Sequence, residues 1–279
     1  MSGESVTIDG VTLRLSHPDV LEIGWVGQVE VLDQLLAAWM VIDERDLPLN
    51  PRIIGKPGVG KTTLAYAAAR SLGRDVYIFQ ATMDTRPEDL LVTPVVGSAG
   101  NIEYTASPLV TAMLRGAVCI LDEGNRMSEK SWASLAPLLD NRRYVESIVA
   151  GVKVKAHRDF RICATMNDDA STFEIPEYIH SRLMPQIYLD FPDAQDELAI
   201  LRENLPFADE QILRYVVGFL QRAHEEDAAY TVRDGINIAR YAAKRLHGKQ
   251  AKPREALRLA IKMTLGEEAL RFDGAGHER

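Results

Sequence analysis

The sequence predicts an α/β fold: a parallel sheet covered by helices on both faces, followed by a purely helical region. Three observations carry this. Short apolar runs without alternation recur through the first two thirds of the chain, separated by helical patterns, as strands buried on both faces do. A glycine-rich loop joins one such run directly to a helix. After Phe191-Pro192-Asp193 no strand pattern remains. The domain boundary is placed there, giving an α/β domain at 1–192 and a helical domain at 193–279. The 279 residues are 46% apolar and 26% charged, which excludes a disordered, collagenous or low-complexity chain.

The elements follow in order. Residues 6–15 alternate around Asp9-Gly10 and read as a short hairpin. Residues 29–44 carry apolar positions at helical spacing, ended by a proline-rich loop through Pro48 and Pro51. Residues 52–54 form a short apolar run before the glycine-rich loop at 55–60, and 61–72 read as a helix. Buried strands are expected at 75–80, 116–122, 160–164 and 186–189. Two stretches break the rhythm, 91–105 around Gly97-Ser98-Ala99-Gly100 and 144–155 around Gly151. Both read as inserted β-hairpins. Four helices then follow, at 193–204, 209–225, 232–247 and 253–272.

The loop Gly55-Lys56-Pro57-Gly58-Val59-Gly60-Lys61-Thr62 fits G-x-x-x-x-G-K-[ST] at every position. Glycine lets the backbone approach phosphate oxygens closely, and the following helix aims its N-terminal dipole at the same charge. Lys61 is placed to reach the β- and γ-phosphates and Thr62 to ligate Mg²⁺. The strand at 116–122 ends in Asp122-Glu123, at the carboxyl end where open α/β sheets bind ligands. Asp122 is assigned to Mg²⁺ through its water shell. Glu123 is assigned to orienting and deprotonating the attacking water.

With these motifs the chain resembles the AAA+ ATPases, and among them the MoxR clade. The resemblance rests on Val26-Gly27-Gln28, the stretch 55–63 ending in Thr63, Leu121-Asp122-Glu123-Gly124-Asn125-Arg126, Ala164-Thr165-Met166-Asn167, and the surroundings of Arg182 and Arg233. It spans about residues 21–272. It implies a P-loop NTPase module with β-hairpin inserts and a helical lid, using ATP and Mg²⁺. It further implies that Val26 and Gly27 pack on adenine and that Pro57, Gly58, Val59, Gly60, Lys61, Thr62 and Thr63 cradle the phosphates. Asn167 takes the sensor-one place and Arg233 the sensor-two place. Arg182 takes the place of an arginine finger acting on a neighbouring subunit, within Ser181-Arg182-Leu183 where the family more usually has Asp-Arg-Phe. The family also commonly has Pro after the sensor Asn, where this chain has Asp168-Asp169. The implied assembly is a homo-oligomeric ring, a hexamer, with a von Willebrand factor A domain protein or another client as partner.

The net charge of −8 argues against bulk nucleic-acid binding. The one basic cluster, Arg142, Arg143, Lys153, Lys155, His157 and Arg158, falls on and beside the second hairpin. It reads either as a solvated hairpin face or as a surface that engages a substrate. The six histidines and two cysteines show no metal-ligand spacing. Cys119 and Cys163 sit in apolar runs and read as buried thiols of a reducing compartment, so a cytoplasmic protein is expected. No apolar run approaches membrane-span length, and Met1 to Gly10 has no secretory pattern. The tail from Asp273 onwards reads as frayed. Three functions stay open at this point: an ATP-driven remodeller of a protein partner, a motor subunit of a nucleic-acid-acting complex, and a nucleotide-dependent assembly scaffold.

Overall fold

The computed structural model describes residues 4–22, 24–97, 100–168, 174–248 and 252–274. Ser98, Ala99, Asp169 and the tail from 275, with His277, lie outside the described residues. The chain divides into two compact units: Met1–Gly24 with Glu30–Gly55 and Lys61–Tyr188, and Trp25–Val29 with Lys56–Gly60 and Leu189–Arg279. We call these the sheet unit and the helical unit.

The sheet unit runs β1 (Ser5–Ile8), β2 (Val11–Arg14), α1 (Val29–Trp39), β3 (Arg52–Gly55), α2 (Lys61–Ser71), β4 (Val76–Gln80), α3 (Pro87–Leu90), β5 (Val92–Val96), β6 (Ile102–Ala106), α4 (Pro108–Arg115), β7 (Val118–Asp122), α5 (Glu129–Leu135), β8 (Tyr144–Ser147), β9 (Val152–Lys155), β10 (Arg161–Asn167), α6 (Glu177–His180) and β11 (Gln186–Tyr188). Five strands, in the order β11-β3-β10-β7-β4, form an all-parallel sheet. Their continuous apolar sequences follow from burial on both faces: every residue of β10 is buried, and β7 is buried up to Asp122. The register sets Asn167 beside Gly55 and Asp122 beside Gln80, so β3, β7 and β10 end together at one edge of the sheet. The parallel sheet is the one that the sequence predicts.

Several details of the sheet unit differ from the sequence reading, the short helices α3, α5 and α6 among them. Helix α1 stops at Trp39, not near 44, because the carboxylates of Asp43 and Asp46 hydrogen-bond to the backbone amides of Ile42, Arg45 and Asp46 and fold a turn instead. The Trp39 carbonyl is taken by the Arg161 guanidinium at 2.7 Å. The third sheet strand, expected at 160–164, runs on to Asn167. The hairpin β5–β6 forms, but not as an isolated insert: β6 pairs in parallel with β2, giving a four-stranded sheet in the order β1-β2-β6-β5. Helix α4 has no helical signature in the sequence, because Leu109, Val110, Thr111, Ala112 and Met113 are all buried and leave no polar stripe. Ser107 caps it at one end and Gly116, at φ +66°, at the other.

The second hairpin, β8–β9, is antiparallel as expected. Part of its basic cluster is paired on the spot. Arg142 is bound by Asp140, Lys153 lies 3.8 Å from Glu146, and His157 faces Asp159. Arg143 is buried and donates to the Phe160 carbonyl. Cys119 and Cys163 are free thiols deep in the sheet, and burial raises both.

The helical unit contains α7 (Ala194–Asn204), α8 (Glu210–Glu225), α9 (Val232–His247) and α10 (Pro253–Leu265) around its own apolar core. The last helix breaks at Gly266, φ +92°, and a 3-10 turn at Glu268–Phe272 completes the stretch expected to be one helix. Among the described residues, no helix is long and apolar enough to cross a membrane. Inside this unit Glu197 is buried. Burial pushes its carboxyl up to about 7, a hydrogen bond from Gln221 opposes the rise, and Asp193 adds to it. From the ordinary carboxyl range up to about pH 7, the folded chain holds a proton that the unfolded chain has released. Stability therefore falls as pH rises through that window. Replacing Glu197 by Gln keeps the acceptor for Gln221 and removes the titration. It is expected to flatten this fall and to stabilise the chain by about 1–3 kcal/mol at pH 8. Urea melts across pH 5–8 check this, and an unchanged slope in the variant would contradict it.

Candidate active site

At the carboxyl edge of the parallel sheet, β3 leads into the glycine-rich loop, β7 ends in Asp122, and β10 ends in Asn167. Lys61 opens helix α2, is buried, and its Nζ donates to the Gly55 carbonyl at 2.8 Å. The Thr62 hydroxyl donates to Asp122 Oδ1 at 2.7 Å. Thr165, fully buried on β10, donates to the same oxygen. It also accepts the Glu123 backbone N–H at 3.0 Å. That bond matters because Glu123 has φ +53°, a left-handed conformation that a glutamate adopts only when its surroundings impose it.

The Glu123 carboxylate is held from two sides. Asn167 Nδ2 donates to Oε1 at 3.2 Å, and Arg126 Nε lies 2.7 Å from Oε2. The 3-10 turn Gly124–Arg126 carries Asn125, whose amide donates to the Asn167 carbonyl at 2.8 Å and accepts the Asn167 N–H. Asp168 donates its N–H to the Gly55 carbonyl, so it closes the strand end. Thr165 and Asn125 carry no site assignment in the sequence. Their signal was present in the sequence only as polar residues at the end of a buried strand and after the acidic pair.

The other predicted residues fall elsewhere. Arg182 follows α6. Its guanidinium donates to the Tyr178 carbonyl and lies 3.7 Å from Asp140, whose carboxyl is held at about 2, first by hydrogen bonds from Arg142 and also by Arg182. Asn50 donates to the Arg182 carbonyl. Among the described residues, nothing around Glu123 is a hydrogen-bond or ion-pair partner of Arg182.

In the helical unit, Gly58 (φ +83°) and Gly60 (φ +103°) have backbones that only glycine takes freely. A Cβ at Gly58 would stand 2.7 Å from the Thr231 hydroxyl, and one at Gly60 would stand 3.3 Å from the Trp25 ring. Pro57 is exposed and Val59 buried. Thr231 caps α9, its N–H and hydroxyl both bonding Asp234 at 2.9 Å. Arg233 is exposed on the first turn that follows. Val26 is half-buried beside Gly27, which is tight against Asp196: a Cβ there would lie 2.2 Å from the carboxylate carbon. Asp196 also accepts the Gln28 N–H at 3.1 Å. Gly27→Ala combines this clash with a φ of +78°. It is expected to cost about 2–4 kcal/mol of stability. Denaturant melts test it, and a wild-type midpoint would show that the turn yields freely.

The residues fit a magnesium nucleotide. Mg²⁺ is usually bound through one or two protein oxygens plus substrate phosphates. The Thr62 hydroxyl and the Asp122 carboxylate, already in contact, offer that set. The two loop glycines supply the bare backbone a phosphate cradle needs.

Fold and site together define the class: a P-loop α/β fold whose carboxyl edge presents residues that fit a magnesium nucleotide. Residues 52–183 match the family model described as the AAA domain of the dynein-related subfamily. The chain is 28% identical over 218 residues to the denitrification regulatory protein NirQ of Pseudomonas aeruginosa, covering 77% of this chain and 82% of NirQ. It is 26% identical over 262 residues to von Willebrand factor A domain-containing protein 8 of Mus musculus. That match covers 86% of this chain but only 13% of the mouse protein. Among solved structures, the Thermotoga maritima RuvB Holliday junction branch migration motor superposes with a TM-score of 0.58 at 17% identity, covering 87% and 72% of the two chains. At that identity the likeness speaks for the fold alone.

Proposed function

We propose that this chain is a MoxR-type ATPase that binds ATP with Mg²⁺ and works as a ring, a hexamer, to remodel or activate a partner protein in the cytoplasm. The observation that carries the reading is the pair of adjacent carboxylates held for different tasks. Asp122 is bound by the Thr62 and Thr165 hydroxyls and, with Thr62, would hold the metal ion. Glu123 is turned away by its left-handed backbone and held by Asn167 and Arg126. Thr62 and Asp122 would hold Mg²⁺, which would supply charge neutralisation at the phosphates when bound. Glu123 takes the proton of the attacking water, Asn167 orients that carboxylate and the γ-phosphate, and Lys61 moves from the Gly55 carbonyl to the phosphates. Val26 and Gly27 pack on the adenine, while Pro57 to Gly60 and Thr63 wrap the phosphates. Arg233 reports the nucleotide to the helical domain, 193–279 in this reading. Arg182 serves the neighbouring subunit's ATP.

The partner reading draws support from the mouse relative, whose name places a von Willebrand factor A domain in the same chain as the matched region. A von Willebrand factor A domain protein, or another client of the ring, is therefore the proposed partner. The pairing of Arg142 with Asp140 and of Lys153 with Glu146, together with the net charge of −8, weighs against a nucleic-acid partner. The test is sedimentation and ATP turnover of the purified chain, with and without a separately expressed von Willebrand factor A domain protein from the same genome. A ring that forms on ATP and turns over faster with the partner supports the reading. A monomer without turnover under every nucleotide condition would defeat it.

A further inference from the structure

One cluster in the helical unit is not used by the chemistry above. Lys56, the second residue of the phosphate loop, places its Nζ over the Phe191 ring, 4.8 Å from the centroid. Phe191 in turn stacks on His224, with centroids 3.9 Å apart and planes 11° from parallel. The His224 Nε2 lies 2.6 Å from the Tyr230 carbonyl. A carbonyl only accepts, so Nε2 carries the proton and Nδ1 is left facing the buried Glu197 carboxyl at 4.0 Å. Tyr230 immediately precedes Thr231, the cap of α9 whose hydroxyl sits against Gly58 of the loop. His224 is thus fixed by its ring face and by its edge, and each attachment leads back to a different residue of the same six-residue loop.

We propose that Phe191 and His224 form a ring clamp that positions the phosphate loop for nucleotide. Phe191 draws the Lys56 ammonium out to one side. His224 backs that ring and, through Tyr230, fixes the start of α9 against Gly58. Both are positioning residues: they set how well the loop is pre-formed, and so nucleotide affinity, without touching the reacting atoms. The loop position of Lys56 is chemically free to be any residue, since the motif specifies neither charge nor shape there. A cation over an aromatic face is the pairing that gives a lysine at this place a fixed direction. The inference rests on reading 55–62 as a phosphate cradle.

A double-variant cycle on the full chain tests it, with ADP·Mg²⁺ binding read by calorimetry for wild type, Lys56→Gln, Phe191→Leu and the pair. Each single change is expected to weaken ADP by about fivefold, and the double change by no more than either alone, because each breaks the same contact. Phe191→Tyr keeps the ring and is expected to bind within about twofold of wild type. Unchanged affinity in both single variants would overturn the clamp, as would a double variant weakened by about the product of the two. Should Phe191→Leu fail to fold, Lys56→Gln and Phe191→Tyr decide: the first must be weak and the second not. Wild type that binds no ADP·Mg²⁺ would defeat the cradle reading itself, which is a different outcome from an additive cycle on a binding protein.

Discussion

Replacing Glu123 by Gln is expected to lower ATP turnover by at least about a hundredfold while leaving ATP affinity within about threefold of wild type. The amide is nearly the same shape and can still accept from Asn167 Nδ2, which now donates to Oε1. What it loses is the capacity to take a proton. Binding is kept because the cradle residues Gly58, Gly60 and Lys61 and the Thr62–Asp122 pair are untouched. The change also leaves Arg126 opposite a neutral group instead of a carboxylate 2.7 Å away, so Arg126 is freed and the local turn is expected to loosen slightly. A single-turnover assay with a parallel binding titration separates the two effects. Equal loss of affinity and turnover would mean that Glu123 holds the site together and is not its base.

Arg182→Ala is expected to cost about 10³-fold in turnover of the assembled protein, with nucleotide affinity nearly unchanged. The structure gives Arg182 a held but incomplete environment. It donates to the Tyr178 carbonyl, lies over the Tyr178 ring at 5.9 Å, and shares Asp140 with Arg142. Arg142 already satisfies Asp140 through three short contacts, the shortest 2.8 Å, so Arg182 is the weaker partner of that carboxylate. A guanidinium held this way is oriented at little cost and can be given up to a phosphate. An Arg182→Lys variant, which keeps charge but lacks the planar fork, is expected to recover only a small part of the loss. An alanine variant with full turnover would remove Arg182 from the chemistry.

Much of this was legible in the sequence because the determinants are local. The loop at 55–62 announces itself by glycine positions that the backbone needs, at φ +83° and +103°. The strand ending in Asp122-Glu123 announces itself by a short run with no alternation, the pattern of a doubly covered strand, ended by two adjacent acids. What stayed hidden depends on contacts between distant segments. Thr165 looks like any β-branched strand residue, and its grip on both Asp122 and the Glu123 amide appears only when β7 and β10 lie side by side. The pairing of β2 with β6 joins residues about ninety positions apart and has no signature in either segment. Asp196 reads as an ordinary acid in the first turn of α7, and its grip on the Gly27-Gln28 turn is set wholly by tertiary packing. The early end of α1 is the reverse case. Asp43 and Asp46 were visible, and their competition with the helix was outweighed by the apolar spacing around them.

The central claim is that the catalytic carboxylate and the arginine that completes its site come from different subunits of one ring. Mixing Arg182→Ala chains with Glu123→Gln chains tests it most directly. Each variant alone is expected to be nearly inactive. In an equal mixture, an intact Glu123 meets an intact Arg182 at roughly one interface in four, because neighbours in a cyclic assembly pair at random. ATP turnover is therefore expected to rise to roughly a quarter of wild type in that mixture. Turnover that stays at the level of the separate variants at every mixing ratio, in preparations shown to form mixed rings, would contradict the claim.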